Sequence, residues 1–325
     1  MNKKALISGG TGFIGSHIVE ELLQRDWDVS IIDKYDFNDY SDLSPIRNHK
    51  NLSFYKIDLN NFDEINVIEN DFDYIFHFAA QLGVENVSKA PYEVLTSNIF
   101  TTENIIRFAK SNSKLKRFIF ASTSEVYTGT QKHFSLKVPT PEQEPLTIDS
   151  VESARSSYML SKAIGESLCH YSGLPATILR PFNIFGARGN MKHVIPQLLE
   201  KVYRASSKDS IDVFSTDHTR AFCHIDDAIN QIMNIVDNDI CSNETLNLGN
   251  ETREITMYDL ARICIHVSGK DLSINKLDAT EGSPKRRTPS MKKSIELIGY
   301  RPKIELEDGI ARTYLWYKDN IFKVQ

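Results

Sequence analysis

The sequence is short of several features that mark particular protein classes. Its four cysteines, Cys169, Cys223, Cys241 and Cys264, stand isolated among 325 residues, with no C-x-x-C pair and no histidine at zinc-ligand spacing. That pattern excludes a disulfide scaffold or a zinc module and predicts reduced, buried thiols and no metal site. No apolar run reaches the roughly 18 residues of a membrane helix before a charge, Gly or Pro interrupts it, so no membrane partner is expected. The basic start Met1-Asn2-Lys3-Lys4 is followed by only Ala5-Leu6-Ile7 before glycines intervene. This reads as a first β-strand rather than a signal peptide, and a cytoplasmic location is expected. An excess of one charge is missing too. With 38 Lys+Arg against 43 Asp+Glu the formal charge is −5, and the scattered basic residues argue against a nucleic-acid partner gripped by the overall field. Any phosphate must be held locally. Repeats and low-complexity tracts are absent.

What is there is ordinary: 41% hydrophobic, 25% charged and 10% aromatic residues, enough for a large core in one big domain or two smaller ones. The first part alternates buried-strand patterns at 4–8, 29–33, 52–57, 74–78 and 118–122 with amphipathic helical patterns, clearest at 12–24 and 98–110. Alternation of this kind predicts an α/β fold, a Rossmann-type doubly wound parallel sheet. The Pro-rich stretch 138–145 cannot continue a central strand or a helix and reads as a surface excursion. A helix at 157–171 and a strand at 176–180 follow. Beyond Phe182 the elements shorten, which predicts a smaller C-terminal substrate-binding lobe. The expected division is 1–181, a dinucleotide-binding domain, and 182–325, mainly the lobe, with some segments returning to the first.

Gly9-Gly10-Thr11-Gly12-Phe13-Ile14-Gly15 lies between a strand and a helix, and Asp33 closes the next strand eighteen residues after Gly15. This context points to dinucleotide binding. Glycines let the backbone approach a pyrophosphate, whose charge meets the open N–H groups and positive dipole end of the helix. A carboxylate at Asp33 would hydrogen-bond ribose hydroxyls and repel a 2′-phosphate, favouring NAD; Lys34 beside it moderates that preference. Further on, Ser122-Thr123-Ser124-Glu125 follows the fifth strand, and Tyr158-x-x-x-Lys162 opens a helix. Tyr and Lys four apart share one helix face, so the ammonium is expected to lower the phenol's pKa towards the range of a general base.

With these motifs the chain resembles the extended short-chain dehydrogenase/reductases, the NAD-dependent epimerases, dehydratases and decarboxylases of nucleotide sugars. The resemblance also rests on Asp58, His77-Phe78-Ala79-Ala80, Asn98, Arg180-Pro181-Phe182-Asn183-Ile184-Phe185-Gly186, Thr219-Arg220-Ala221-Phe222, Asn247-Leu248-Gly249 and Arg287-Thr288-Pro289-Ser290. It implies that Asp58, Leu59, Phe78, Ala79, Ala80, Asn98, Ser122 and Pro181 join the glycine turn in holding NAD. Gly83, Asn183, Val194, Arg220 and Arg287 would meet a nucleotide-diphosphate sugar, and Phe214 would stack on its base. It implies a homodimer through a helix pair. It also implies a first step in which Tyr158, held by Lys162 and assisted by Thr123, takes the O4 proton as C4 is oxidised. Ser124 and Glu125 then bear on C5 and C6: Thr-Ser-Glu resembles 4,6-dehydratases, the leading expectation, and UDP-glucuronate decarboxylases, with a 4-epimerase and a non-catalytic NAD-binding regulator as alternatives. Where the family has Gly after Tyr127, this chain has Thr128 and then Gly129.

Overall fold

A computed structural model describes residues 2–36, 44–280 and 282–323. The chain forms two compact units. The first comprises Met1–Leu136, Glu142–Pro181 and Ile232–Asn247, and the second Lys137–Pro141, Phe182–Gln231 and Leu248–Gln325.

In the first unit, β1 (Lys4–Ser8), α1 (Phe13–Gln24), β2 (Asp28–Asp33) and β3 (Leu52–Lys56) are followed by α2 (Phe62–Ile65), β4 (Tyr74–His77), α3 (Val84–Lys89) and α4 (Pro91–Lys110). Then come β5 (Arg117–Ala121), α5 (Thr128–His133), α6 (Ser156–Tyr171) and β6 (Ala176–Pro181). β1 pairs in parallel with β2 and β4, and the seven-stranded sheet runs in the order Thr245–Leu248, β6, β5, β4, β1, β2, β3. Chain order reverses between β1 and β4, so the crevice beyond their carboxyl ends is where a doubly wound sheet takes its ligand. The strands are continuous apolar runs because helices cover both faces: Leu6, Ile75, Phe118 and Phe120 are wholly buried, each contributing about 2–3 kcal/mol by leaving water.

The helix expected at 98–110 begins earlier, at Pro91. A proline is accommodated at the first helical turn, where its missing N–H would have no partner. The proline-rich stretch is not a surface excursion throughout. Within the second unit the Thr140 N–H donates to the Thr288 carbonyl at 2.9 Å, the Ser290 N–H donates back at 2.8 Å, and Thr140 is buried. A segment unfit for the central sheet makes a single β-bridge instead.

The second unit has its own core around Leu199, Val202, Leu260 and Ile310. It carries a three-stranded sheet in the order Glu254–Thr256, Thr219–Ala221, Arg286–Arg287. Among the described residues, no helix is long and apolar enough to cross a membrane, and no group of three or more His, Cys, Asp or Glu is placed to hold a metal.

Candidate active site

The glycine turn is built by exclusion. Gly9 sits at φ +74°, where L side chains are strained, and a Cβ there would lie 2.6 Å from the Ala79 backbone nitrogen. A Cβ on Gly15 would lie 2.2 Å from the Gly9 carbonyl oxygen. Only glycine lets β1 turn this tightly into α1. Gly12 caps α1 with its backbone alone, and no carboxylate stands in the first turn, so the helix end that includes Phe13 and Ile14 keeps its positive character. The buried Asp33 carboxylate accepts the Thr11 hydroxyl at 2.7 Å and the Tyr35 N–H at 3.2 Å, which ties the turn to the end of β2. The Lys34 ammonium is 5.1 Å from the Tyr35 ring centre.

Asp58 is exposed and accepts the Asn60 N–H at 3.0 Å, while the buried Leu59 offers its carbonyl to Asn104 at 2.8 Å. Phe78, Ala79 and Ala80 are half-buried, following β4. Asn98 accepts the Gln81 N–H at 2.7 Å and donates to the Gln81 carbonyl at 3.0 Å and the Ser161 hydroxyl at 3.1 Å, locking α4 to the segment after β4 and to α6. Gly83, at φ +103°, has open space where a Cβ would stand.

Thr123 leaves β5 in extended conformation and caps the short helical turn Ser124–Tyr127, its hydroxyl oxygen accepting the Glu125 N–H at 3.2 Å. The hydroxyl proton is therefore left for Tyr158, to which Thr123 is hydrogen-bonded. Ser124 is buried and Glu125 half-buried. Lys162 is buried one turn beyond Tyr158, and its ammonium donates to the Ala121 carbonyl at 2.7 Å. Burial pulls its pKa down to about 8. The expected lowering of the Tyr158 phenol does not occur here: burial first, then the charge of Glu125, push its pKa up, and the Thr123 hydrogen bond only partly opposes them. The physical reason is that the phenol is withdrawn from water beside a carboxylate, and both disfavour the phenolate.

Behind this turn lies a charged pair that the motifs did not reveal. Glu166 accepts Arg180 Nε at 2.8 Å and Nη2 at 2.6 Å, and the Ser122 hydroxyl at 2.5 Å, all buried. Burial opposes the Arg180 charge, but the bonds to Glu166 more than offset it and hold the guanidinium protonated. A signal was present: Tyr158, Lys162 and Glu166 fall at intervals of four, so the carboxylate shares the face of the other two. Pro181 ends β6 immediately after Arg180.

In the second unit, Arg286 and Arg287 pair in parallel register with Thr219 and Arg220. Arg287 and Arg220 are therefore opposite one another on one face. Arg220 is buried, donating to the Thr219 carbonyl at 2.7 Å and the Ser283 hydroxyl at 3.1 Å. Asn183, at φ +43°, donates to the Ala221 carbonyl at 2.8 Å and the Arg287 carbonyl at 3.3 Å, bracing the same pair. Val194 starts the helix Val194–Arg204 and is partly exposed; Phe214 is half exposed at the end of Ser210–Phe214.

The family model of the NAD dependent epimerase/dehydratase family matches residues 5–249. The chain belongs to this family. UDP-N-acetyl-alpha-D-glucosaminuronate decarboxylase of Bacillus cytotoxicus is 29% identical over 98% of this chain and 99% of its own. The crystal structure of UDP-glucuronic acid 4-epimerase from Bacillus cereus, in complex with UDP-glucuronic acid and NAD, is 26% identical. It covers 97% of this chain and 99% of that one, with a TM-score of 0.82. DesIV, the dTDP-glucose 4,6-dehydratase of Streptomyces venezuelae, solved with NAD and TYD, is 25% identical over 98% and 97%, also at a TM-score of 0.82.

As a member of the epimerase/dehydratase family the protein is an NAD-dependent enzyme, and its residues fit that cofactor. The cradle at Gly9 and Gly15 that a Cβ would fill, and the uncapped end of α1, suit a pyrophosphate. One position beyond the departure from the family, Gly129 makes a close approach of its own: a Cβ there would lie 1.8 Å from the Thr147 carbonyl oxygen.

Proposed function

We propose that the protein decarboxylates a nucleotide-diphosphate hexuronate through a transient 4-keto sugar. The observation that carries this reading is the turn Thr123-Ser124-Glu125, which offers one carboxyl group and, beside it, a buried serine. Dehydration across C5 and C6 calls for a base at C5 and a separate acid for the departing C6 hydroxide. Loss of CO₂ from a β-keto acid needs no acid at C6. The near end-to-end similarity to a decarboxylase of a UDP-hexuronate supports the same choice.

In this mechanism Tyr158, once deprotonated, takes the O4 proton, with the Thr123 hydroxyl bonded to the same oxygen. Lys162 contributes positive charge on the same helix face. NAD, when bound, supplies the reversible hydride acceptance that oxidation at C4 requires. The C5–C6 bond then breaks, CO₂ leaves, and its electron pair passes into the C4 ketone as an enolate. Glu125, once it has taken up a proton from solvent, delivers it to C5, and Tyr158 finally returns its proton to O4 as C4 regains its hydride. Gly9, Thr11, Gly12, Phe13, Ile14, Gly15 and Asp33 hold the cofactor. Arg220 and Arg287 are assigned to the substrate diphosphate: two like charges in register repel one another, and a bidentate dianion relieves that repulsion.

The 4,6-dehydratase remains the second reading, because Glu125 suits a C5 proton in either reaction. The test is product mass after incubation with UDP-hexuronates and with UDP- and dTDP-hexoses. Loss of the mass of CO₂ from a hexuronate is expected. Loss of water from a hexose favours the dehydratase, an unchanged mass with an altered C4 favours the epimerase, and no turnover of any of these sugars refutes the proposal. We also assign Tyr92 and Phe100 on α4 and Ile164 and Tyr171 on α6, all exposed, to contact with a second copy. Light scattering is expected to give a dimer that Phe100→Glu weakens.

A further inference from the structure

We infer that Arg180 is a positioning residue for this chemistry, holding the catalytic helix through Glu166 and the catalytic turn through Tyr127. The inference rests on the reading above only for the identity of the step being positioned. The turn Ser124–Tyr127 is a single helical turn that runs straight into α5, and a turn this short takes its geometry largely from what holds its ends. What holds its ends therefore fixes Thr123 and Glu125.

Both ends lead to one guanidinium. At the start, the Ser122 hydroxyl donates to Glu166 Oε1, the oxygen that also accepts Arg180 Nε. At the far end, Arg180 Nη1 donates to the Tyr127 hydroxyl oxygen at 2.6 Å, and the guanidinium carbon stands 4.9 Å from that ring's centre. The Tyr127 hydroxyl in turn donates a hydrogen bond to Asn247 Oδ1 at 3.3 Å, and the Asn247 N–H donates to Glu142 Oε1 at 2.9 Å. Arg180 Nη1 closes the circuit with the Glu142 carbonyl at 3.0 Å. Burial chiefly pushes the Tyr127 pKa up to about 12, so the phenol keeps the proton this relay needs. Glu166 stands one turn beyond Lys162 and two beyond Tyr158, so the same ion pair fixes the helix that bears the proposed base. One cation on β6 thus joins α6, which bears Tyr158 and Lys162, to the turn after β5 that bears Thr123 and Glu125.

A buried ion pair serving stability alone is replaceable by neutral groups, whereas removing one partner strands a charge. That difference separates the two roles. The experiment uses the NAD-loaded protein, with hydrogen exchange of residues 122–127 and 9–15 read alongside kcat and KM. Tyr127→Phe keeps the Arg180–Glu166 pair. It is expected to speed exchange in 122–127 about tenfold, leave 9–15 unchanged, and lower kcat about tenfold with KM within about twofold. The double variant Arg180→Met with Glu166→Gln is expected to melt near the wild type while kcat stays at least about tenfold low. Wild-type kcat in the double variant, or unchanged exchange in Tyr127→Phe, would overturn the inference. If the wild type turns over no hexuronate, the proposed decarboxylation fails, and the exchange measurement still decides the role of Arg180.

Discussion

Replacing Lys162 with methionine is expected to destroy activity and at the same time stabilise the cofactor-free protein near neutral pH. The Lys162 ammonium is buried, and burial depresses its pKa from 10.5 to about 8. At about 1.4 kcal/mol per pH unit, this is a native-state penalty of about 3 kcal/mol. Methionine matches the side chain in length and carries no charge, so it removes the penalty. It also removes the hydrogen bond to the Ala121 carbonyl at 2.7 Å, which returns about 1 kcal/mol of cost. A net gain of about 2 kcal/mol remains, worth about 3 °C in Tm for a chain of this length. The sign with pH follows from proton counting. Between the folded pKa near 8 and the unfolded value of 10.5, the unfolded chain binds more protons, so wild-type stability rises with pH there. The advantage of Lys162→Met is therefore full below about pH 8 and fades towards pH 10.5. Calorimetric melting of both proteins from pH 6 to about 10 checks this. A variant less stable than the wild type at neutral pH, or an advantage that does not shrink as pH rises, refutes the reasoning.

Gly15→Ala drives a methyl group to 2.2 Å from the Gly9 carbonyl oxygen, a backbone atom that cannot rotate away. NAD affinity is expected to fall at least about tenfold in a fluorescence titration, and undiminished binding would count against the cradle. Glu125→Gln is expected to lower kcat about a hundredfold while the near-ultraviolet absorbance of reduced NAD still rises on mixing with substrate; an unchanged overall rate removes Glu125 from the chemistry. In the second unit, the Arg286 hydrogen bonds hold the Glu254 carboxyl down at about 2, against an ordinary 4.5. A depressed carboxylate gives stability that is present above its unfolded pKa and lost as pH falls through the folded one. Arg286→Gln should therefore flatten the acid limb of unfolding between about pH 4.5 and 2, as followed by circular dichroism.

Much of this architecture was legible from local pattern. The strand runs at 4–8, 74–78 and 118–122 were readable because a strand covered on both faces must be apolar throughout. The glycine turn was readable because tight backbone contacts allow no Cβ. Legibility failed wherever a residue's partner is remote in sequence. Glu166 meets Arg180 only once β6 lies beside α6, and Thr140 meets Thr288 across 148 positions of chain. The direction of the Tyr158 shift has the same origin, since helix spacing puts Lys162 on the right face but shows neither the burial of the phenol nor the Glu125 charge beside it, which together push its pKa up.

The sequence by itself determined the class of the protein. Periodicity dictates a parallel sheet and the glycines dictate a tight turn from β1 into α1, because each is a property of neighbouring residues. Only the tertiary structure decided how the side chains of the site are charged and held. Which carbonyl takes a lysine proton, which carboxylate anchors an arginine, and whether a phenol is eased or strained towards ionisation are set by burial and by partners that folding alone brings within about 3 Å.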